Sequence, residues 1–329
     1  MPIHNLGYRE WSGELESGSS RWSVVAGIGI RRAWQSMWVR RLALMVWVAP
    51  LAYGILIFVF EQFLSNNTQM SPRDFSQLLK MLLPAEAFPA VAMTLEGLNT
   101  VSHASPEAYQ ELLAAARPLF WKGVMLQLQR SQCIGMVILV GLIAPQMISQ
   151  DVRSRAFLLY FSRPLTRTQY IFGKFATVAS FLLLTCTLPQ LVLYAFAVLL
   201  SPDISVVVHT WDIPVRTLLA SAVMIIPTAL LALMLSSLTV ETRFATFGWF
   251  AIWIFGMAAY VVMRSLNGDT SEIILRTGFL YLLYNDASLK ILDLPTLTSH
   301  FDTQMTFLVS LAVVSFAVIF RKVSAPLRA

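Results

Sequence analysis

Long stretches without a charged side chain alternate with short clusters of charge along this sequence. Six stretches hold no Asp, Glu, Lys or Arg and are long enough to cross a bilayer: 42–60, 131–150, 175–202, 217–240, 244–263 and 303–320. A hydrocarbon core about 30 Å thick takes roughly 20 apolar residues of helix. In hydrocarbon the backbone must satisfy its own hydrogen bonds, which selects helices. The pattern therefore predicts an all-α, polytopic membrane protein with six transmembrane helices. Pro50, Pro145, Pro189 and Pro227 fall inside four of the spans and predict bends, each ring removing a ladder donor.

Charge placement predicts the orientation. With the N-terminus on the cytoplasmic side, the inner segments hold fifteen of the 24 basic residues and five of the 18 acidic ones. Basic residues flanking spans stay inside, so both the N- and C-termini are expected to be cytoplasmic. The same split accounts for the net charge of +6 and argues against a nucleic-acid partner. Composition agrees: 57% of residues are hydrophobic and 13% charged, against about 25% charged in soluble domains. Residues 1–20 hold no apolar run, so no cleavable signal sequence is expected.

The segments between spans divide the chain further. Residues 1–41 read as a cytoplasmic N-terminus with an amphipathic elbow helix before the first span, at 22–41. Arg31, Arg32, Gln35 and Arg40 are polar there, while Trp34, Met37 and Trp38 offer apolar contact, suited to a membrane surface with anionic lipid. Residues 65–130 form a long outer segment with helix-like stretches at 74–83 and 107–117, the second opened by Pro106. Spans four and five are joined only by Glu241, Thr242 and Arg243, a tight hairpin. Residues 264–302 form a second outer segment whose apolar core, 277–285, is too short to span and reads as a re-entrant or interfacial helix.

The loop after the second span stands apart. Residues 151–161 predict a short helix with Asp151 near its start, where negative charge is favoured. Leu158, Leu159, Phe161 and Leu165 give it an apolar side, Pro164 breaks it, and the chain enters the third span past Gly173 and Lys174. A basic, partly apolar helix protruding into the cytoplasm suits docking of another protein; a simple basic anchor loop is the plainer alternative.

This segment resembles the signature of ABC transporter permeases of the type-2, exporter-like class. Their pattern is an acidic residue after the second span, a leucine-rich short helix, Arg-Pro-hydrophobic-Ser/Thr-Arg, then Gly-Lys opening the third span. Asp151, Leu158, Leu159, Arg163, Pro164, Leu165, Thr166, Arg167, Gly173 and Lys174 fit it. The run from Leu233 to Thr239 resembles the Leu-Ser-Ser-Leu end of the family's fourth span. Asp151 stands where family members often carry Glu, and Ala156-Phe157 where a Gly-Thr pair is common. The resemblance implies that 42–329 is a permease domain, that 151–174 is its cytoplasmic coupling segment, and that transport, in the export direction, uses ATP hydrolysed elsewhere. The implied partners are a P-loop ATPase subunit and a second permease copy or related permease. The implied coupling residues are Asp151, Arg153, Arg155, Phe157, Leu158, Arg163, Pro164, Arg167, Gly173 and Lys174, with Arg153 and Arg155 in polar contact with the ATPase and Phe157 and Leu158 packed into it. The expected location is the bacterial cytoplasmic (inner) membrane.

Other chemistry finds little support. The chain has no Gly-x-x-x-x-Gly-Lys-Ser/Thr sequence to cradle ATP phosphates, so no cofactor of its own and no enzymatic activity are expected. His4, His103, His209 and His300 are scattered and match no metal spacing. Cys133 and Cys186 lie in apolar runs and read as buried thiols. Gln146, Thr185 and Gln190 lie within spans, where polar groups line a substrate path or bond between helices. The alternative is an ion-coupled secondary transporter or another multi-pass membrane protein without an ATPase partner; the first is weakened because no span has a mid-membrane carboxylate and no inverted repeat is evident.

Overall fold

The computed structural model describes residues 20–64, 77, 79–81, 83–85, 88–89, 91–93, 97, 106–156, 165–201, 204–266, 278–294 and 301–324, with backbone alone for 106–114. Every regular element among the described residues is a helix. Six are long and apolar enough to cross a membrane: Met37–Leu64, Ala115–Arg153, Arg167–Leu200, Val206–Leu238, Thr242–Ser265 and Phe301–Ser324. Each contains one of the six uncharged stretches almost entire.

The elbow is α1 (Arg21–Trp34). Span one follows as α2 (Met37–Val46) and α3 (Val48–Leu64). The single helix expected at 22–41 is therefore two, because Ser36 adopts an extended backbone (ψ 123°) ahead of α2. Span two is the later part of α4 (Pro106–Arg153), and span three is α5 (Arg167–Leu182), a π-turn at Leu183–Thr187 and α6 (Leu188–Leu200). The π-turn precedes Pro189, whose ring offers no N–H to the helix, and the Leu188 amide reaches back to Leu183 instead. Span four is α7 (Val206–Thr210) with α8 (Asp212–Leu238), and span five lies in α9 (Thr242–Leu266). After α10 (Leu280–Ile291), α11 (Phe301–Ser324) is span six.

The second span departs most from its expected bounds. α4 has 48 residues, a length of about 72 Å at 1.5 Å per residue. Residues 115–130, read from sequence as part of the outer segment, continue the helix of span two without a break. Charge ended the uncharged run at Arg130, yet the charges of this stretch are satisfied inside the fold. Arg117 pairs with buried Glu61 at 3.2 Å, Lys122 with Asp212 at 3.1 Å, and Arg130 donates to Asn285 at 2.6 Å. Phe120 stacks on Phe60 with ring centroids 3.7 Å apart. A hydrophobic core built from α3, this stretch of α4, Leu193, Ala197, Ile213, Leu79, Leu83 and Val91 surrounds them.

A second, larger core joins spans two, three, four and six with Trp249 and Trp253 of span five. α10, about 18 Å long by the same rise, is too short to cross and is wedged against α4, α8 and α11. Gln129 donates to Ser288 at 2.9 Å, Thr228 to Tyr284 at 3.0 Å, and Gln304 to the buried Asp286 carboxylate at 2.8 Å.

Spans two and four are locked at one hydroxyl. Ser236 Oγ accepts from the amides of Ile148 and Ser149 at 3.1 and 3.0 Å and donates to the Pro145 carbonyl at 2.7 Å. The proline turn of α4 thus finds its polar partner on α8, within the Leu-Ser-Ser-Leu run. Ser149 Oγ continues the link to Thr242 of α9 at 3.1 Å. Ser237 serves only its own helix, donating to Met234. Ser236→Ala is expected to cost roughly 1–3 kcal/mol, the penalty for stranding buried polar groups, and to lower the thermal unfolding midpoint in detergent clearly more than Ser237→Ala.

Candidate functional site at the roots of spans two and three

The loop that carries the sequence signature leaves α4 at Arg153 and returns at α5. Its two roots are bound by one buried cluster. Asp151, in the last turn of α4, accepts from Lys174 Nζ at 2.7 Å and from the Tyr170 hydroxyl at 2.7 Å. The pair is largely buried, with side-chain exposures of 11% for Lys174 and 9% for Asp151. Tyr170 and Lys174 are four residues apart on α5 and so share a face, which also sets the Lys174 ammonium 5.3 Å from the Tyr170 ring centroid.

Asp151 therefore ends a helix and does not begin one. The expected start of a short helix at Asp151 is replaced by a C-terminal cap, and residues 157–161 of that expected helix lie outside the described residues. The Ala156 amide bonds to the Asp151 carbonyl (3.0 Å), the Arg155 amide bonds to Val152 (3.2 Å), and Arg155 takes a left-handed backbone (φ 53°). This is the usual way to stop an α-helix, with Arg in a position that favours glycine. A carboxylate at a helix C-terminus is poorly placed for the helix dipole, and the Lys174 ammonium compensates for it.

The return root has its own start signal. Thr166 is extended (ψ 156°), its hydroxyl accepts from the Gln169 amide, and the Gln169 side chain accepts from the Thr166 amide. This capping box satisfies two orphan donors of α5. Arg167 donates to Ser324 of α11 at 3.1 Å. Arg153 pairs with Glu241 of the hairpin between spans four and five at 3.6 Å, but both are exposed and the pair contributes little. Gly173 faces the elbow. A Cβ there would lie 2.9 Å from the Trp22 carbonyl and 2.7 Å from Val25 of α1, so the glycine lets the elbow close against span three. Thr177 strengthens that contact by donating to Ala26 (3.3 Å), and Trp22 meets Phe172 edge-on.

Of the residues singled out from sequence, Asp151 and Lys174 meet directly, while Arg153, Arg155, Arg167 and Gly173 surround the roots in separate contacts. Phe157, Leu158, Arg163 and Pro164 lie outside the described residues. Gln146 donates to Leu142 of its own helix and lines a cavity beside the ion pair. Thr185, in the π-turn, donates to Phe181 of α5, and Gln190 donates to Gln132 of α4 at 3.2 Å. Both are buried between helices and neither lines that cavity. Tyr170 and Ser236 were not singled out individually; the Thr166–Gln169 box was legible as Thr-x-x-Gln ahead of an apolar run. No group of three metal-ligating side chains occurs among the described residues.

Removing one member of a buried pair strands the other, at a cost of roughly 3–5 kcal/mol. Asp151→Leu and Lys174→Met are each expected to lower the unfolding midpoint of the purified protein. The double variant is expected to recover most of the loss, a coupling that a double-mutant cycle measures.

Comparison with known proteins adds the family. A search of the curated proteins found no match. A family model described as ABC-2 family transporter protein matches residues 33–320, which takes in five spans whole, all but the last four residues of the sixth, and both roots of the loop. The chain belongs to the ABC-2 transporter family, as a multi-pass membrane component of a transporter.

Proposed function

We propose that this chain is the permease subunit of an ABC exporter in a bacterial cytoplasmic membrane, with both termini cytoplasmic, paired with a second permease and driven by a separate P-loop ATPase. The observation that carries this reading is the Asp151–Lys174–Tyr170 cluster, which ties the last turn of span two to the first turns of span three. A partner holding the loop between them grips both spans at once. Arg167 extends the grip to α11, and Ser236 passes it from span two to span four. Force applied at the loop is thus delivered to four spans through short polar contacts rather than through a pliable linker.

In this reading, 1–41 is the cytoplasmic N-terminus with its elbow and 42–329 the permease domain. Within the loop, Arg155 and the segment after it form the docking surface, while Asp151, Gly173 and Lys174 hold its base. The substrate path is not assigned to Thr185, which bonds back to its own span, or to Gln190, which bonds to span two.

Two measurements test this. Arg155→Glu with Phe157→Ala is expected to weaken co-purification of the ATPase subunit by about tenfold or more, the scale of two lost interface contacts; unchanged association removes the docking site from 151–174. For sidedness, Arg155→Cys is expected to react with a membrane-impermeant thiol reagent only from the cytoplasmic face, over a low background because Cys133 and Cys186 are both buried. Labelling only from the opposite face would overturn the orientation.

A further inference from the structure

A cavity of about 330 Å3 lies between the elbow and spans one and two, beside the Asp151–Lys174 pair. Its volume is at the low end for small-ligand sites. Its walls are of two kinds. Val25, Ile28, Val39, Ile143 and Met147 are apolar, while Arg32, Ser36, Gln146, Asp151 and Lys174 bring polar groups and two cations against one carboxylate. Asp151 is already held by Lys174 and Tyr170. Arg32 donates through one nitrogen to Gln150 Oε1, and a guanidinium has five N–H donors in a planar fork. The cavity therefore has a net positive lining, with donors of Arg32 and the Ser36 hydroxyl available to an acceptor.

The surroundings indicate where an occupant comes from. Ile28 and Trp38 line the cavity and yet are 65% and 66% exposed. Val24, Trp34 and Met37 extend this apolar surface along the elbow. In a protein of this kind such a surface faces lipid. The polar side of the cavity lies at the end of the bundle where Arg153, Arg167, Arg321 and Lys322 gather. An occupant reaching it from the lipid side meets apolar walls first and cationic donors second.

We propose that this cavity binds the headgroup of an anionic phospholipid, its phosphate diester on Arg32 and Ser36 and its upper acyl chains along Ile28 and Trp38. A bound lipid would join the elbow to the base of the coupling loop, since the lining includes both Arg32 of α1 and Lys174 of α5. The inference needs the elbow to meet lipid and is independent of the ATPase reading, so either can fail alone. The chemistry recognised is a phosphate ester, which a free phosphate compound would share, and the test separates the two.

The test titrates the detergent-purified full chain with short-chain phosphatidylglycerol, short-chain phosphatidylcholine and glycerol 3-phosphate, reading the unfolding midpoint. Phosphatidylglycerol is expected to raise the midpoint saturably, phosphatidylcholine much less, and glycerol 3-phosphate not at all. Arg32→Gln is expected to weaken phosphatidylglycerol on the order of fivefold, the effect of one basic residue at an anionic lipid surface. Arg32→Lys should retain most of the affinity, and Lys322→Gln, at the same end but outside the cavity, all of it. Ser36→Trp, which fills the mouth and keeps every charge, should lose binding. Equal affinity for the two lipids, unchanged affinity in Arg32→Gln or in Ser36→Trp, or protection by glycerol 3-phosphate equal to that by the lipid would each overturn the proposal.

Discussion

A helix that enters a membrane can be moved as a rigid body only if something holds its end, and here a buried carboxylate does so for two helices at once. Asp151 closes α4, Lys174 and Tyr170 open α5, and all three meet largely buried. Desolvated charge is costly unless its partners are close. That cost makes the pairing specific: the roots of the loop have one favourable arrangement, and separating them leaves an ion uncompensated. The helix cap at Arg155 and the capping box at Thr166 then end the two helices sharply, so the loop begins and returns at defined points.

Motion at those points travels through similar polar contacts. Ser236 fits the turn around Pro145, binding span four to span two where proline weakens the helix ladder. The elbow is held on span three through Gly173, Thr177 and Gly29, small side chains that allow close approach. Each contact sits where one helix offers a gap and its neighbour offers a hydroxyl or a missing side chain. In lipid there is little hydrophobic drive between helices, so close packing and hydrogen bonds decide which surfaces meet. The opposite end of the bundle follows the same logic with full charges: Glu61 with Arg117 and Lys122 with Asp212 bind the extension of α4 to spans one and four.

The differences between sequence and structure have one cause in common. Counting uncharged runs located all six spans, because a charge facing lipid is excluded on energetic grounds. The same rule ended span two too early, since Arg117, Lys122 and Arg130 are charges paired within protein and the rule cannot see a partner distant in the chain. Asp151 was legible as part of a motif, but its place at the end of α4 was not. Local preference puts Asp at a helix start, and only Lys174 and Tyr170 make a helix end favourable for it. Gln190 and Thr185 stood out as polar residues in apolar runs, and the structure gives both to other backbone or side-chain groups.

Alone, the sequence determined the class, the number of spans, the existence of the elbow and the location of the loop that matters, because these follow from hydropathy, charge and local backbone preference. Tertiary structure decided which residues hold that loop. Asp151 with Lys174, Ser236 with Pro145 and Glu61 with Arg117 are distant along the chain, and each pairing forms because buried polar groups that cannot find water must find one another.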